Sequence, residues 1–494
     1  MAATIMGQNR HLNRWLPEGY PGTHTKKYSV PNRHIGCPLL NLSPVPPNIS
    51  TPMPLDLSRF FKACNPAKTL DMSVPEDQKY YIDFAPVRGG KIIEELKRTI
   101  SRISPDEPTC QLFTGHIGCG KSTELLRLKS ELETENFHVV YFESSQDLDM
   151  ADVDVSDILL AITHQVSENL EKSGVNLKPG YFTNLFTEVA DFLQTPIEFG
   201  GEAELSVGIA KLTAKTQDNP KLRNQLRQYL EPRAESILKA INEEVLHKAR
   251  HELITRKGKR GLVVIVDNLD RVDNRAMPSG RTQPEYLFVD RGAQLRRLNC
   301  HVVYTIPLAL MFSDEYESLK NRLGGGVAPK VLPMIPVKDR RGAGFNQGME
   351  LLRQAILARA FPDSPAEERS QIVTDVFDAP ETLDRLCQIS GGHPRTLLGL
   401  LYRCLQQEDP PFNRSSLEHA IKDYRDDLIL SIDDNEWELL LQVAQGQGMK
   451  GEDSYQALLR SMLIYEYRDS DGRWFGLNPA LEETERFRQW QAGR

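Results

Sequence analysis

The stretch Gly115-His116-Ile117-Gly118-Cys119-Gly120-Lys121-Ser122-Thr123 decides the reading of this chain. Its spacing is GxxxxGK[ST], and it follows a short apolar segment, Gln111 to Phe113. Behind it, Leu125, Leu128 and Leu132 recur at helical spacing between Glu124 and Glu133. The loop therefore stands where a strand turns into a helix N-terminus, whose unpaired N–H groups and positive dipole end suit a polyphosphate. Its glycines let the backbone approach closely. Lys121 is placed to neutralise β/γ-phosphate charge, and Ser122 to ligate Mg²⁺.

Outward from the loop, short apolar runs alternate with helical stretches. The runs are Phe137 to Phe142 (FHVVYF), Leu262 to Val266, Val302 to Ile306 and Lys330 to Val337. Near-continuous β-branched strands between helices predict a mostly parallel, five-stranded sheet covered on both faces, an α/β P-loop NTPase fold. In GLVVIVDNLDRV (261–272) such a strand delivers Asp267 at its C-terminal end, the edge at which open α/β sheets bind ligands. Asp267 is the expected Mg²⁺-shell carboxylate, and Asp270 follows three residues on. Between the second and third strands, Ile158, Ile162, Val166 and Leu170, then Leu222, Leu226 and Leu230, then Ile237, Ile241 and Val245 predict a helical insertion over about 150–258.

With GHIGCGKST at 115–123, VVIVDNLDR at 263–271, Thr305 closing the VVYT strand and SGGHPR at 390–395, the chain resembles the STAND-type signalling ATPases, relatives of AAA+ proteins. The resemblance covers about residues 57–480 and implies Mg-ATP as ligand. It also implies a helical lid carrying Arg395 near the γ-phosphate, and Thr305 as a sensor-like residue. The nucleotide contacts are then Gly115, His116, Ile117, Gly118, Cys119, Gly120, Lys121, Ser122, Thr123 and Thr305, with Ser122 and Asp267 on the metal. One departure stands out. Many AAA+ proteins place Glu directly after the strand Asp, and here that residue is Asn268, which cannot accept a proton. Asp270 and Glu143 are the two candidate water-positioning acids, beside Lys121 and Arg395 as catalytic cations.

Other residues read more plainly. Arg271, Arg281, Arg291, Arg296, Arg297 and Arg322 are of the type that supplies an arginine finger from a neighbouring subunit, and the sequence does not choose among them. His116 reads as a loop side chain, and Cys119 as packing. The basic run from Lys248 to Arg260 lacks interleaved aromatics and reads as a solvated loop that keeps the next strand soluble.

From Ser415 the pattern is helix (436–445), helix (454–462) and a hairpin, LIYEYR and WFGL around Asp469-Ser470-Asp471-Gly472. It looks like the winged helix that STAND and origin-recognition-type ATPases carry. Ten Lys/Arg face sixteen acids from Pro411 onward, so the module is net −6. Phosphate neutralisation calls for clustered cations, so protein contact or self-association is favoured over nucleic acid. A DNA-associated AAA+ ATPase and a P-loop kinase of a small molecule are the alternatives.

Domain boundaries follow at 1–55 (a Pro-rich arm with nine prolines), 56–108 (helical lead-in), 109–345 (core with insertion), 346–412 (lid) and 413–494 (winged-helix-like module). The whole chain is 494 residues at net charge −8 with 40% hydrophobic residues, too large for a disulfide scaffold and without an apolar run of membrane-spanning length. Seven scattered cysteines form no CxxC pair, which with the absence of a signal-like segment predicts a reducing cytoplasm.

Overall fold

Five short strands form one all-parallel sheet: β1 (Cys110–Gly115), β2 (His138–Glu143), β3 (Leu262–Asp267), β4 (His301–Thr305) and β5 (Lys330–Leu332), in the order β2-β3-β4-β1-β5. The computed structural model describes residues 55–177, 180–194, 205–217, 219–446 and 453–493. The Pro-rich arm lies outside the described residues. The central strand β3 is buried along its whole length, as expected of a strand covered on both faces. Alternate residues divide between the two faces. Val264, Val266, Val302 and Tyr304 join the core shared with the insertion, whereas Phe113, Val263, Ile265 and Val303 pack with Leu125, Leu128 and Leu132 of the helix Lys121–Thr134.

The lead-in helix Ile92–Arg98 buries Ile92, Ile93 and Leu96 in that second core. The described part of the insertion is built of helices joined by short turns, and the stripe Ile158, Ile162, Val166 and Leu170 of its first helix, Val155–Lys172, is fully buried. Two expectations change. The fifth strand ends at Leu332, because Pro333 has no N–H to continue a ladder, and the following Met334 and Ile335 instead donate their N–H groups to Glu466 O (2.9 Å) and Gly392 O (3.3 Å). The basic run is helical over His247–Lys257 rather than a loop, since Ala249 and Leu253 give it a buried side.

After the sheet, the helices Asn346–Ala360, Pro380–Ile389, Pro394–Gln407 and Arg414–Ile429 share one core through Leu352, Leu386, Leu401 and Leu417, which Phe60 and Cys64 also enter. The helices Asp434–Ala444 and Asp453–Arg460 then lead to a hairpin of β6 (Ile464–Asp469) and β7 (Gly472–Leu477), with Asp469 opposite Gly472. Gly472 takes φ +108°, the turn conformation its position requires. The hairpin bridges two cores: Ile464 and Leu477 pack with Trp437 and Leu458, while Tyr465 and Tyr467 pack with the helix behind the loop. Among the described residues no helix is long and apolar enough to cross a membrane, and Cys64, Cys110, Cys119, Cys300, Cys387 and Cys404 are all unpaired.

Gly392 couples this helical unit to the sheet. At φ +72°, a Cβ there would fall 1.6 Å from Ile335 O. Gly392→Ala should therefore lower unfolding free energy by about 2 kcal/mol or more in denaturant titrations. Gly399→Ala, in open space on the helix Pro394–Gln407, should be neutral or slightly stabilising.

Candidate functional site

The loop between β1 and the helix Lys121–Thr134 keeps its shape through glycine geometry. Gly118 and Gly120 take φ +86° and +101°, and a Cβ on Gly118 would sit 2.6 Å from His393 Nε2 and 2.9 Å from Arg395 Cβ. Lys121 is buried. Its ammonium donates to Gly115 O (2.9 Å) and His116 O (2.8 Å) and pairs with Asp270 Oδ2 at 3.0 Å. Burial opposes that charge, but the groups around it, Asp270 foremost and Asp267 with it, together outweigh burial, so the lysine is held above its ordinary value. The other oxygen of Asp270, Oδ1, is buried without a partner. That orphaned acceptor, the glycine cradle and the sequestered ammonium fit a phosphate with its counter-ion better than they fit a plain structural turn.

Asp267 ends β3 beside Ser122, whose hydroxyl it bonds, and accepts from Tyr141 Oη (2.8 Å) and Asn268 N (2.7 Å). Burial, against those bonds, holds its carboxyl above the usual range. A divalent cation beside it would favour the charged form, so Ser122 and Asp267 are the pair suited to Mg²⁺. Glu143 lies opposite Asp267 in the β2–β3 register and accepts from Asn268 Nδ2 at 3.2 Å. Asn268, at φ +64°, thus ties the two strand ends together.

A cleft opens above the loop. It is lined by Ile117 through Glu124, by Asn268, Asp270 and Arg271, by Pro394 and Arg395 of the lid, and by a wall including Tyr81, Phe84 and Leu397. Lys121, Asp270 and Arg395 are therefore brought together, whereas Glu143 stands outside that lining beside the Asp267 end of the sheet. Thr305 is a correction. Its fully buried hydroxyl accepts from Leu269 N (3.0 Å) and donates to Val266 O (3.2 Å), so it braces the turn after β3 and does not face the cleft. Gly115 and His116 are likewise beneath the loop rather than on its open side. A Cβ on Gly115 would meet Leu332 O at 2.6 Å, and Cys119 packs its thiol 3.7 Å from the same oxygen.

Residues to which sequence reading gave no such role hold the loop from below. Arg88 donates to Cys119 O at 2.8 Å. His116, read as a loop side chain, is buried and accepts at Nε2 from Glu466 N in β6 (2.8 Å). His393 Nε2 donates to Ile117 O (3.0 Å), while its Nδ1 accepts from Thr396 Oγ1 (2.7 Å); these proton positions are assigned from the partners. Tyr465 stands between the two imidazoles, its ring 5.9 Å from His116 and 5.8 Å from His393, and Tyr467 Oη donates to Gly391 O at 2.8 Å. The hairpin contacts join segments 350 residues apart at His116 and 76 apart at Gly391, which no local pattern reveals.

Residues 90–279 match the family model described as the KAP family P-loop domain. No curated protein matches the chain in sequence. Among solved structures, the chain is similar to the Aeropyrum pernix ORC2 protein in ADPNP–ADP complexes (11% identity, 81% of this chain and 94% of that one, TM-score 0.35). It is also similar to Drosophila ORC bound to DNA (12%, 90% and 94%, TM-score 0.34) and to Cdc6p of Pyrobaculum aerophilum (11%, 84% and 96%, TM-score 0.32). The parallel sheet, the loop and the family match together make this a P-loop NTPase fold.

Burial pushes both His116 and His393 down to about 3, with neighbouring positive charge adding to it. The native state therefore binds fewer protons than the unfolded chain. Their contribution is complete above pH 6.5 and is lost as pH falls from there toward 3. Each histidine should cost about 1 kcal/mol of stability per pH unit across that window. Melting temperatures at pH 7 and pH 5 should diverge, and His393→Asn should narrow the gap; an equal gap in both proteins would contradict the assignment.

Proposed function

We propose that the cleft binds Mg-ATP and that the protein is a nucleotide-dependent regulatory switch of the STAND/AAA+ kind, with ATP hydrolysis as its reset. The observation that carries this reading is the convergence of Lys121, Asp270 and Arg395 on one glycine-lined cleft, with Ser122 and Asp267 bonded beneath it. In it, Lys121 leaves the loop carbonyls for β/γ-phosphate oxygens, and Ser122 and Asp267 hold the metal. Mg²⁺ supplies charge neutralisation on the phosphates. Asp270 or Glu143 orients the attacking water.

The helix-helix-hairpin module is taken here as a winged helix that reports on the loop, because β6 bonds both to His116 and, through Tyr467, to the lid at Gly391. A displacement of the loop by phosphate would be felt in those bonds. Its net −6 charge favours a protein partner or self-association over nucleic acid, in line with a cytoplasmic regulatory role.

Fluorescent-ATP titration in Mg²⁺ tests the reading. The wild type should bind, Lys121→Ala should weaken binding about 100-fold or more, and Asp267→Asn should remove most of the Mg²⁺ dependence. A wild type that binds no nucleotide, or a Lys121→Ala protein that binds equally well, overturns it.

A further inference from the structure

Six arginines were equal candidates in the sequence for a transition-state cation, and their surroundings in the fold separate them. Arg281 is paired with Glu315, Arg291 with Glu231, Arg297 with Glu235 (2.8 Å) and Arg322 with Asp290 (3.6 Å). Arg296 lies over Gly325, where a Cβ would come within 2.5 Å of its guanidinium, in a groove at the opposite edge of the sheet that also contains Cys110 and Lys330. Arg271 alone of the six lines the cleft above the phosphate loop.

Its position follows from the turn after β3. Asn268 in the left-handed conformation starts the 3₁₀ turn Leu269–Arg271, which Thr305 braces through Leu269 N. That turn directs Asp270 inward to Lys121 and leaves Arg271 exposed on the cleft side. Among the described residues, neither Arg271 nor Arg395 makes a side-chain hydrogen bond or ion pair. Of the two carboxylates that line the cleft, Asp270 is engaged by Lys121, and Glu124 pairs with Arg127 (3.6 Å) and accepts from Tyr81 Oη (3.2 Å). Two guanidinium groups thus face one space with no carboxylate bonded to either, an arrangement that an entering anion would relieve. The repulsion is felt at Arg395, which partial desolvation first and the Arg271 charge second hold below the ordinary arginine value.

We propose that Arg271 supplies, from within the same chain, a second positive charge for the terminal phosphate of a bound nucleoside triphosphate, opposite Arg395. The inference rests on the nucleotide-binding reading above and deepens it: this protein discriminates triphosphate from diphosphate without an arginine from a neighbouring copy. Lys121, Arg271 and Arg395 set against Asp270 and Glu124 still leave a positive excess that the additional charge of a γ-phosphate would satisfy.

The test compares fluorescent ATP and ADP analogues, each with Mg²⁺, on the full chain. Arg271→Ala should weaken triphosphate binding about 10-fold or more and change diphosphate binding by no more than about twofold, since a charge-assisted contact of this kind is lost only where the third phosphate exists. Arg271→Lys should recover part of the preference, and Arg297→Ala, an exposed ion pair elsewhere, should leave it intact. Equal losses for both nucleotides, or no loss, overturn the proposal. So does recovery of the triphosphate preference when Arg271→Ala protein is mixed with Lys121→Ala protein, which would supply an intact Arg271 in trans. A wild type that binds neither nucleotide would instead remove the nucleotide reading itself.

Discussion

The Lys121 ammonium, almost wholly withdrawn from water, dictates the shape of everything around it. Such a charge is tolerated only if carbonyl oxygens and a carboxylate replace its hydration, and here Gly115 O, His116 O and Asp270 do so. Two of these partners belong to the loop itself and the third to the turn after β3. One ion thus closes the loop and fixes the spacing of two strands, β1 and β3, that are not neighbours in the sheet. A buried pair of this kind is a poor source of net stability, because desolvation offsets most of its attraction. Its value is positional: the carboxylate and the ammonium hold one another where a third charged group could compete for either.

Around that ion the chain has built contacts that cannot shift independently. The lid reaches the loop through His393 and Ile117, the hairpin through Glu466 and His116, and Tyr465 fills the space between the two imidazoles. Hairpin and lid also meet directly, since a Cβ on Gly391 would come 2.7 Å from the Tyr465 ring. Close-packed interfaces resist graded deformation and favour discrete arrangements. A displacement of Ile117 or His116 must therefore be absorbed by the lid and hairpin together, or prevented by them.

What could be read from the sequence follows from where the information lies. The strands β3 and β4 were legible because burial on both faces leaves an apolar, β-branched signature, β2 because its apolar run is continuous, and β1 because it leads into a loop whose glycines and lysine lie within seven residues. The end of β5 was misjudged where apolar character continued through VLPMIPV, although its prolines withdraw the N–H groups a ladder needs. The helix His247–Lys257 was hidden by charge, its apolar side being little more than Ala249 and Leu253. Thr305 had the right residue type at the right strand end, but Leu269 N and Val266 O already use its hydroxyl. His116 was least legible of all. Its partner is a backbone N–H, which has no residue identity to recognise, on a strand far along the chain.

The acidity of the C-terminal module takes on a different sense beside these contacts. Read along the sequence, a net −6 argues mainly against nucleic acid. In the fold, part of that charge faces the protein's own cations: Asp469 pairs with Arg340 (2.7 Å), Glu482 with Lys338 and Glu483 with Arg385 (2.5 Å). All three cations lie in the segment after β5 or in the lid. Ion pairs at such half-exposed positions are worth little individually, about 0 to 1 kcal/mol, and do not by themselves hold the module down. Like charges in the wrong register would repel, however, so the pairs select the docking orientation, while the Tyr465 and Tyr467 rings are fully removed from water. The same acids that disfavour a phosphate backbone thus orient the hairpin and the turn after it against cations of its own chain.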